Sequence, residues 1–434
     1  MAPEPASELP PIRVEQVVYP GKSLAHYREK ILFADEGLPG ELIAVQTVRE
    51  RAGYIEARTV RVLEPSARRR EPRCAHYRAC APYQVMDYAF QLELKKSQVE
   101  DILGRQFGVD PGPVTVKPSP ETWGYRNRAR FHCVRAQGRL SLAYHRPGSL
   151  RSWIPVRDCH LISDRMNGLL AAALDMLNAA RATAVNEIEV RETASGRESL
   201  LILSGQKLGT TSLPPDFGPE LAKRFPLSGL IGISPTPKGA SETILYGRGY
   251  LENEAGGLVY RCGARSFFQV NRFLLDTALN EVRTVGLRAR PGRAADLYCG
   301  VGTFGLALAA AAGEVRGVES DPANAGDLAH NVQGNGLRNF AVSRGSAEAW
   351  IDRILAEKPD LVMVDPPRKG LGPRITGPIL ESPPPLILYL SCDPATLGRD
   401  LKILLARYRL RSLTLYDFFP HTPHIETLSI LDRV

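Results

Sequence analysis

The sequence predicts an α/β protein whose C-terminal part is a doubly wound parallel sheet, preceded by a small β-barrel and a central α+β region. From Arg290 onward, apolar strand-like runs alternate with glycine loops and helical stretches, which is typical of a parallel sheet covered by helices. The N-terminal part instead consists of short β-rich runs separated by turn signals. At 434 residues, the chain also exceeds the usual size of one domain.

Composition limits the classes of protein that fit. The chain has 55 basic and 47 acidic residues and a formal charge of +8, which favours a polyanionic partner. It contains no apolar run of about 18 residues and no basic-then-apolar segment at its start. We therefore expect a cytoplasmic monomer that does not contact membranes. Its seven cysteines then serve packing, metal binding or chemistry and not a disulfide framework.

The N-terminal elements follow from local patterns. Residues 1–11 are rich in Pro, Glu and Ala and predict a disordered tail. Between Ile12 and Leu63, β-rich runs alternate with Pro-Gly turns and predict a five-stranded barrel over 12–67, a fold that often binds oligonucleotides. The segment Ser66–Cys74 predicts a charged linker, whose four arginines either contact phosphate or are solvated.

A central α+β region is predicted over residues 68–262. Apolar residues at helical spacing between Tyr88 and Phe107 predict an amphipathic helix, which we expect to pack on the C-terminal domain. Further along, arginines at every second position predict a basic stripe on one face of a strand, formed by Arg126, Arg128 and Arg130.

The C-terminal domain, residues 263–434, contains a glycine-rich loop after its first strand. Gly300, Gly302 and Gly305 match G-x-G-x-x-G, and Glu319 follows about twenty residues later at the end of the next strand. Glycines allow close approach of the backbone, and the acid accepts hydrogen bonds from ribose hydroxyls. This spacing predicts an adenosine-containing cofactor. NAD would use the same features, so a dehydrogenase is an alternative.

Cys392 is the candidate nucleophile. It ends an apolar run that is typical of a buried strand, and an Asp-Pro pair follows it. A candidate base, Glu426, lies downstream in the segment HTPHIETL. A cofactor loop, a thiol and a base are the components of a group-transfer enzyme. The other thiols and the nearby imidazoles are interpreted as structural, namely Cys133, Cys262, Cys299, His421 and His424.

These motifs resemble those of the RNA 5-methyluridine methyltransferases, which use S-adenosylmethionine. The matching segments occur in the family's order: YPGKSLAHYREKILFADEGLPGELIAVQTV, ARSFFQVN, DLYCGVGTFGL, MVDPPRKG, SCDPATLGRDL and HIETL. The resemblance implies an OB-like TRAM barrel that binds RNA and a Rossmann-like methyltransferase domain. It also implies a cofactor site formed by Gln269, Asp296, Tyr298, Gly300, Gly302, Glu319 and Asp365.

For the reaction, the resemblance implies that Asp365 orients the uracil, that Cys392 is the nucleophile and that Glu426 is the base. Carbon-5 of uracil is too weak a nucleophile to attack a methyl sulfonium, but addition of a thiolate at carbon-6 converts the ring into an enolate that can. A carboxylate must then remove the proton on carbon-5 before the thiol leaves. The target base has to be unpaired or flipped to enter such a site.

The resemblance also implies a 4Fe–4S cluster, for which the chain has an incomplete set of ligands. Cys74, Cys80 and Cys159 match three of the family's four cysteines, and Tyr83 stands at the remaining position. Iron–sulfur clusters are held mainly by thiolates, so we predict a labile or absent cluster.

The family also has an acid near the adenine, where this chain has Ser346, and Glu348 is the candidate substitute. Because relatives specific for tRNA typically lack the barrel and the cluster cysteines, the favoured substrate is 23S rRNA and the alternative is tRNA. Two other classes stay open. An NAD-dependent oxidoreductase would not need Cys392, and a non-catalytic RNA-binding factor would bind RNA without turnover.

Overall fold

The computed structural model describes residues 8–209, 211–237 and 239–434, and within these ranges the chain forms four sheets. The tail predicted over 1–11 lies mainly outside the described residues, although Glu8 already bridges to the first sheet. No helix within these ranges is long and apolar enough to cross a membrane.

The first sheet has six strands, so the predicted number of five is wrong. The strands are β1 (Ile12–Arg13), β2 (Gln16–Val18), β3 (Lys22–Tyr27), β4 (Lys30–Ala34), β5 (Leu42–Glu50) and β6 (Tyr54–Glu64), in the order β1-β5-β6-β4-β3-β2. The additional strand arises because the run from residue 12 to residue 18 changes its partner strand midway. The Val14 N–H donates to the Glu41 carbonyl, whereas the Glu15 N–H donates to the Leu24 carbonyl.

A helical segment follows the first sheet. It comprises α1 (Tyr77–Cys80), a 3-10 turn (Pro82–Val85), α2 (Tyr88–Asp101), a π-helical turn (Ile102–Gln106) and the strand β7 (Val114–Lys117). The linker before it is not solvated as a whole: the Arg69 guanidinium lies 2.6 Å from Glu41 and 3.0 Å from Glu36. These carboxylates lie in the loop between β4 and β5, so the linker is fixed to the N-terminal sheet through this loop.

Helix α2 buries polar residues, although its sequence predicted an apolar inner face. Gln91, Lys95 and Gln98 are all buried. The Lys95 ammonium lies 2.6 Å from a carboxylate oxygen of Asp417, and both side chains are fully buried. The Gln91 amide bonds to both the ring and the main chain of His421. The helix therefore packs on the C-terminal domain through a polar interface.

The central sheet has seven strands. Its elements are β8 (Arg128–Ala136), β9 (Arg139–His145), β10 (Trp153–Pro155), α3 (Asp164–Ala179), β11 (Val185–Glu192), β12 (Ser199–Gly205), α4 (Phe217–Arg224), β13 (Leu227–Thr236) and β14 (Gly239–Gly247). The strand order is β10-β9-β8-β11-β12-β13-β14. Helices α3 and α4 cover one face and share its apolar core.

The predicted basic stripe is not a free phosphate-binding surface. Arg128 and Arg130 lie on β8, and both form ion pairs with Glu189 of β11, at 2.8 and 2.7 Å. Arg126 precedes the strand, and its guanidinium instead contacts the Tyr125 hydroxyl (3.2 Å). Glu189 lies on the neighbouring strand, so these ion pairs could not be seen in the spacing of the arginines. They neutralise part of the positive charge of Arg128 and Arg130.

The C-terminal sheet has eight strands and is mixed, not purely parallel as predicted. Its strands and helices, with the preceding hairpin, are β15 (Tyr250–Ala255), β16 (Leu258–Gly263), α5 (Leu275–Ala289), β17 (Arg293–Leu297), α6 (Gly305–Ala309), β18 (Glu314–Glu319), α7 (Pro322–Gly334), β19 (Phe340–Arg344), α8 (Ala347–Ala356), β20 (Leu361–Val364), α9 (Pro373–Glu381), β21 (Leu386–Ser391), α10 (Pro394–Leu404), β22 (Tyr408–Tyr416) and β23 (Glu426–Arg433).

The order of this sheet is β19-β18-β17-β20-β21-β23-β22-β7. The first five strands are parallel, and β23 is antiparallel to both of its neighbours. The edge strand β7 comes from residues before the predicted C-terminal domain. The hairpin β15–β16 also packs on this domain, because the N–H of Gly263 donates to Asp327 on α7 (2.6 Å).

Candidate active site

A cavity of about 670 Å³ lies at the carboxyl-terminal edge of the parallel strands. The strands β17, β18, β20 and β21 end at this edge, and the antiparallel β23 begins there. Of the predicted cofactor-binding and catalytic residues, the cavity is lined by Gln269, Asp296, Tyr298, Gly300, Glu319, Asp365, Cys392 and Glu426. Gly302 is the one that does not line it.

The glycine loop after β17 is shaped by left-handed backbone conformations. Tyr298 has φ +64° and Gly300 has φ +57°. The N–H of Gly300 donates to one carboxylate oxygen of Glu319 (2.8 Å), and the N–H of Asp321 donates to the other (2.6 Å). A Cβ at Gly300 would meet none of the described atoms within 4 Å. The loop therefore leaves open space beside an anchored carboxylate that can accept ribose hydroxyls.

Gly302 is required for packing. Its φ is +94°, and a Cβ there would overlap the Leu306 side chain and lie 2.7 Å from Leu328. Leu306 and Leu328 both belong to the buried apolar core. Gly302 thus lets helix α6 and its neighbour α7 pack closely beneath the loop.

Asp296 and Gln269 supply polar groups to the same cavity. Burial raises the pKa of Asp296 well above its usual value, and its Oδ2 has no hydrogen-bond partner among the described residues. The Gln269 carbonyl accepts a hydrogen bond from the Asn127 amide (2.9 Å), so the central region helps to place this residue. An unpartnered acid, an open glycine loop and a ribose-compatible carboxylate fit an adenosine cofactor such as S-adenosylmethionine.

Ser346 and Glu348 lie at the start of helix α8, and both line the cavity. The Ser346 hydroxyl accepts from the Ala349 N–H (3.3 Å) and so caps helix α8. Glu348 lies 3.4 Å from the Lys369 ammonium. Since the serine oxygen already serves the helix, Glu348 offers the available carboxylate in this part of the cavity.

Cys392 and Glu426 face each other because of the register between β21 and β23. The last antiparallel pair of this ladder is Ser391 with Thr427, and the Thr427 hydroxyl donates to the Ser391 carbonyl (3.4 Å). Cys392 is the residue after Ser391 and Glu426 is the residue before Thr427, so the two continue this ladder, and the charge of Glu426 contributes to the raised pKa of the Cys392 thiol. The thiol and the carboxyl therefore meet in one part of the cavity.

Burial and mutual repulsion shift the pKa values of the acidic groups. Burial raises the pKa of Asp365 to about 7. Burial and the charge of Asp365 raise the pKa of Glu426 well above its usual value. Burial and these two carboxylates raise the pKa of the Cys392 thiol to about 12. The free site therefore favours protonated forms, and its groups are placed to exchange protons.

Arg368 and His424 were not predicted as site residues. Both line the cavity, and the Arg368 guanidinium donates to Nδ1 of His424 (3.2 Å). The positive charge of Arg368 lowers the pKa values of Cys392 and Glu426, opposing the effects of burial. Burial, aided by Arg368, lowers the pKa of His424 to about 4, so its ring is neutral and can accept. In the sequence, Arg368 directly follows the DPP segment and His424 lies two residues before Glu426. These positions were the only indication that the two side chains reach the cavity.

Cys74, Cys80 and Cys159, the predicted cluster ligands, lie near one another, because the charges of Cys159 and Cys74 both act on the Cys80 thiol. Within the described part of the chain, no group of three or more His, Cys, Asp and Glu side chains is placed to hold a metal ion. The Cys74 thiol accepts a hydrogen bond from the Gln84 amide (3.1 Å). Burial raises the pKa of Cys74 and raises that of Cys80 to about 12.

Tyr83, at the position of the missing cysteine, turns away from these thiols. Its side chain is 2% exposed and packs with Val17 and Leu94 in a separate apolar cluster. Its hydroxyl accepts a hydrogen bond from the Gln98 amide (3.3 Å). The residues present therefore do not fit an iron–sulfur cluster.

We expect anaerobically purified protein to contain far less than one cluster per chain, because only three thiols remain and one of them is bound to an amide. Iron and acid-labile sulfide measure this directly. Cys159→Ser serves as the comparison, since adventitious iron would persist in this variant. Near-stoichiometric iron and sulfide that disappear in Cys159→Ser would contradict the expectation.

Known RNA methyltransferases match this chain over most of its length. The family described as tRNA (uracil-5-)-methyltransferase matches residues 87–434. An uncharacterized RNA methyltransferase of Thermosynechococcus vestitus is 30% identical over 97% of each chain. One from Synechocystis sp. is 31% identical over 95% of this chain and 93% of that one.

The fold also matches a solved structure, that of the Pyrococcus abyssi tRNA (uracil-54, C5)-methyltransferase in complex with S-adenosyl-L-homocysteine. The TM-score is 0.77 at 23% identity, over 97% of this chain and 99% of that chain. The family match does not support the oxidoreductase alternative. The chain is a member of the tRNA (uracil-5-)-methyltransferase family and an enzyme of the RNA methyltransferase class.

Proposed function

We propose that this protein methylates carbon-5 of a uridine in RNA through a covalent bond between Cys392 and carbon-6. The register that sets Cys392 opposite Glu426, inside the cavity that holds the glycine loop, carries this proposal. A thiol alone at a strand end is commonly a packing residue. A thiol facing a buried carboxyl in a cofactor cavity has the two groups that addition and elimination require.

The cofactor half of the cavity would hold S-adenosylmethionine through Glu319 at the ribose, Gln269, Asp296 and Tyr298, with Glu348 as the polar group in place of the family's acid. When bound, S-adenosylmethionine supplies an electrophilic methyl group. The open Gly300 loop permits close approach of the ligand.

In the uracil half, the Cys392 sulfur adds to carbon-6 and the electron pair of the ring moves towards the carbonyl oxygen at carbon-4. The raised pKa of the thiol means that its proton has to be taken as the sulfur attacks. The ionised Asp365 carboxylate can accept it, which leaves Glu426 for the later step, and the charge of Arg368 favours the thiolate and the enolate. After methylation of carbon-5, the ionised form of Glu426 takes the proton there. The electron pair of that carbon–hydrogen bond restores the double bond between carbon-5 and carbon-6, and the Cys392 sulfur leaves as a thiolate with the pair of the carbon–sulfur bond.

Asp365 would hold the uracil ring by its hydrogen-bonding edge. A pKa of about 7 lets its carboxyl accept from, or donate to, the ring near neutral pH. The base has to leave its stack to reach a cavity at the end of a sheet, so the target is a single-stranded or flipped uridine.

The favoured substrate is 23S rRNA, with tRNA as the alternative. The Pyrococcus protein named for tRNA aligns over 97% of this chain, so the N-terminal sheet alone does not distinguish the two RNAs. The remnant cysteines Cys74, Cys80 and Cys159 are the feature that still favours the rRNA branch.

Mapping of 5-methyluridine in total RNA tests the proposal. We expect cells that lack the protein to lose this base at a 23S rRNA position, and we expect the wild-type chain, but not Cys392→Ala, to restore it. Loss in tRNA alone would assign the alternative substrate. Unchanged 5-methyluridine in every RNA would instead favour a non-catalytic RNA-binding role.

A further inference from the structure

The N-terminal sheet reaches the nucleophile segment through the turn between β2 and β3. The hydroxyl of Tyr19, which follows β2, donates to Oδ2 of Asp393 (3.2 Å). Asp393 is the residue after Cys392. The Tyr19 ring is half-buried and packs against the apolar core of the C-terminal sheet. A side chain from the first sheet is thus bonded to the immediate neighbour of the nucleophile.

The same turn contacts the segment that leads to the base. Gly21 has φ +89°, and a Cβ there would lie 3.1 Å from the Pro423 side chain and 3.2 Å from the Tyr83 ring. Pro423 shortly precedes Glu426 in the chain. The turn therefore lies against both segments, and its positive φ favours glycine at this position.

Asp393 connects this turn to the nucleophile. It is the N-cap of α10, and its Oδ1 accepts from the main-chain N–H groups of Ala395 (3.0 Å) and Thr396 (2.9 Å). Its Oδ2 is the oxygen bonded to Tyr19. With both oxygens held, the Asp393 carboxylate has one orientation, and the junction between β21 and α10 that carries Cys392 is restrained.

We propose that Tyr19 is a positioning residue for Cys392, acting through Asp393, so that the N-terminal sheet completes the active site. The inference rests on the proposed function, because it takes Cys392 as the group that attacks uracil. It predicts that the C-terminal domain, although it contains the thiol, the base and the cofactor loop, depends on the first sheet for its full rate.

Tyr19→Phe tests this inference, because it removes the hydroxyl and keeps the ring in its packing. We expect the single-turnover rate constant of methyl transfer to fall about tenfold, as for the loss of one hydrogen bond to a charged group. The KM for S-adenosylmethionine and the affinity for RNA should stay within about twofold, because Tyr19 acts only on the chemical step. A purely structural role would lower Tm without this selective loss of rate. Tyr27→Phe is the matched control, since Tyr27 packs on the core of the same sheet.

A double-mutant cycle tests the route through Asp393. Asp393→Ser keeps an N-cap oxygen but removes the oxygen to which Tyr19 donates. In the Asp393→Ser background, we expect Tyr19→Phe to change the rate little further, because the two side chains act as a pair. A wild-type rate for Tyr19→Phe, or independent effects in the cycle, would overturn the inference.

Cys392→Ala separates this inference from the proposed function. If Cys392→Ala is inactive and Tyr19→Phe is fully active, only the role of Tyr19 is wrong. If Cys392→Ala retains the wild-type rate, the proposed covalent mechanism fails, and the positioning role fails with it.

Discussion

Cys392→Ala is expected to abolish methyl transfer to RNA, with a loss on the order of 10⁴-fold or more, while S-adenosylmethionine still binds. Alanine cannot form the bond to carbon-6, and without that bond carbon-5 stays too weak a nucleophile. The cofactor half of the cavity is built on Glu319, Gly300 and Gln269, which the substitution does not touch. Transfer of a labelled methyl group to RNA and equilibrium binding of the cofactor measure the two halves separately.

Cys133→Ala is the matched control for this prediction, because it removes a partly buried thiol in the core of the central sheet, away from the cavity. We expect its activity to equal that of the wild type. Residual activity of Cys392→Ala above a few per cent of wild type would remove the thiol from the mechanism.

The second large effect is expected for Glu426→Gln, which should accumulate a covalent protein–RNA adduct and lower turnover by about 10²- to 10⁴-fold. Glutamine preserves the shape of the side chain but cannot take the proton from carbon-5, so the carbon–sulfur bond cannot break. The adduct should migrate slowly on a denaturing gel. The double variant Cys392→Ala/Glu426→Gln lacks the attacking thiol and should show no such band.

Stability provides a check that Glu426→Gln is folded. The raised pKa of Glu426 means that the folded state binds its proton more tightly than the unfolded chain does. The protonated carboxyl therefore stabilises the fold at pH values below the pKa of Glu426 in the unfolded chain. This stabilisation is lost as the pH rises through the higher pKa of Glu426 in the folded protein. The uncharged glutamine avoids this loss, so we expect a Tm at neutral pH equal to or above that of the wild type. Full activity without adduct would show that another group is the base.

The chemical groups of the candidate site could be predicted because they lie in short segments at strand ends. An apolar run followed by glycines, by DPP or by SCDP marks the end of a buried strand, and parallel strands of one sheet end at a common edge. Gly300, Glu319, Asp365 and Cys392 stand at or just after such strand ends, and they line one cavity.

The pairing of Cys392 with Glu426 depended on the structure. The strand β23 is inserted antiparallel between β21 and β22, and this insertion brings the start of β23 to the end of β21. A local pattern identifies a strand but not its neighbour or its register. Arg368 and His424 lie on the segments after β20 and before β23, and the same arrangement of strands brings both to the cavity.

Buried polar contacts were the other part that local patterns could not show. Hydrophobic periodicity finds a buried face when its side chains are apolar, whereas α2 buries Gln91 and Lys95 against partners that lie far along the chain. The arginines of the predicted stripe likewise pair with Glu189, and Tyr19 donates to Asp393. Short segments thus sufficed to predict the family and most of the residues that line the cavity. The partners of buried polar groups were set by tertiary contacts, because a polar group can be buried only where folding brings a complementary group to it.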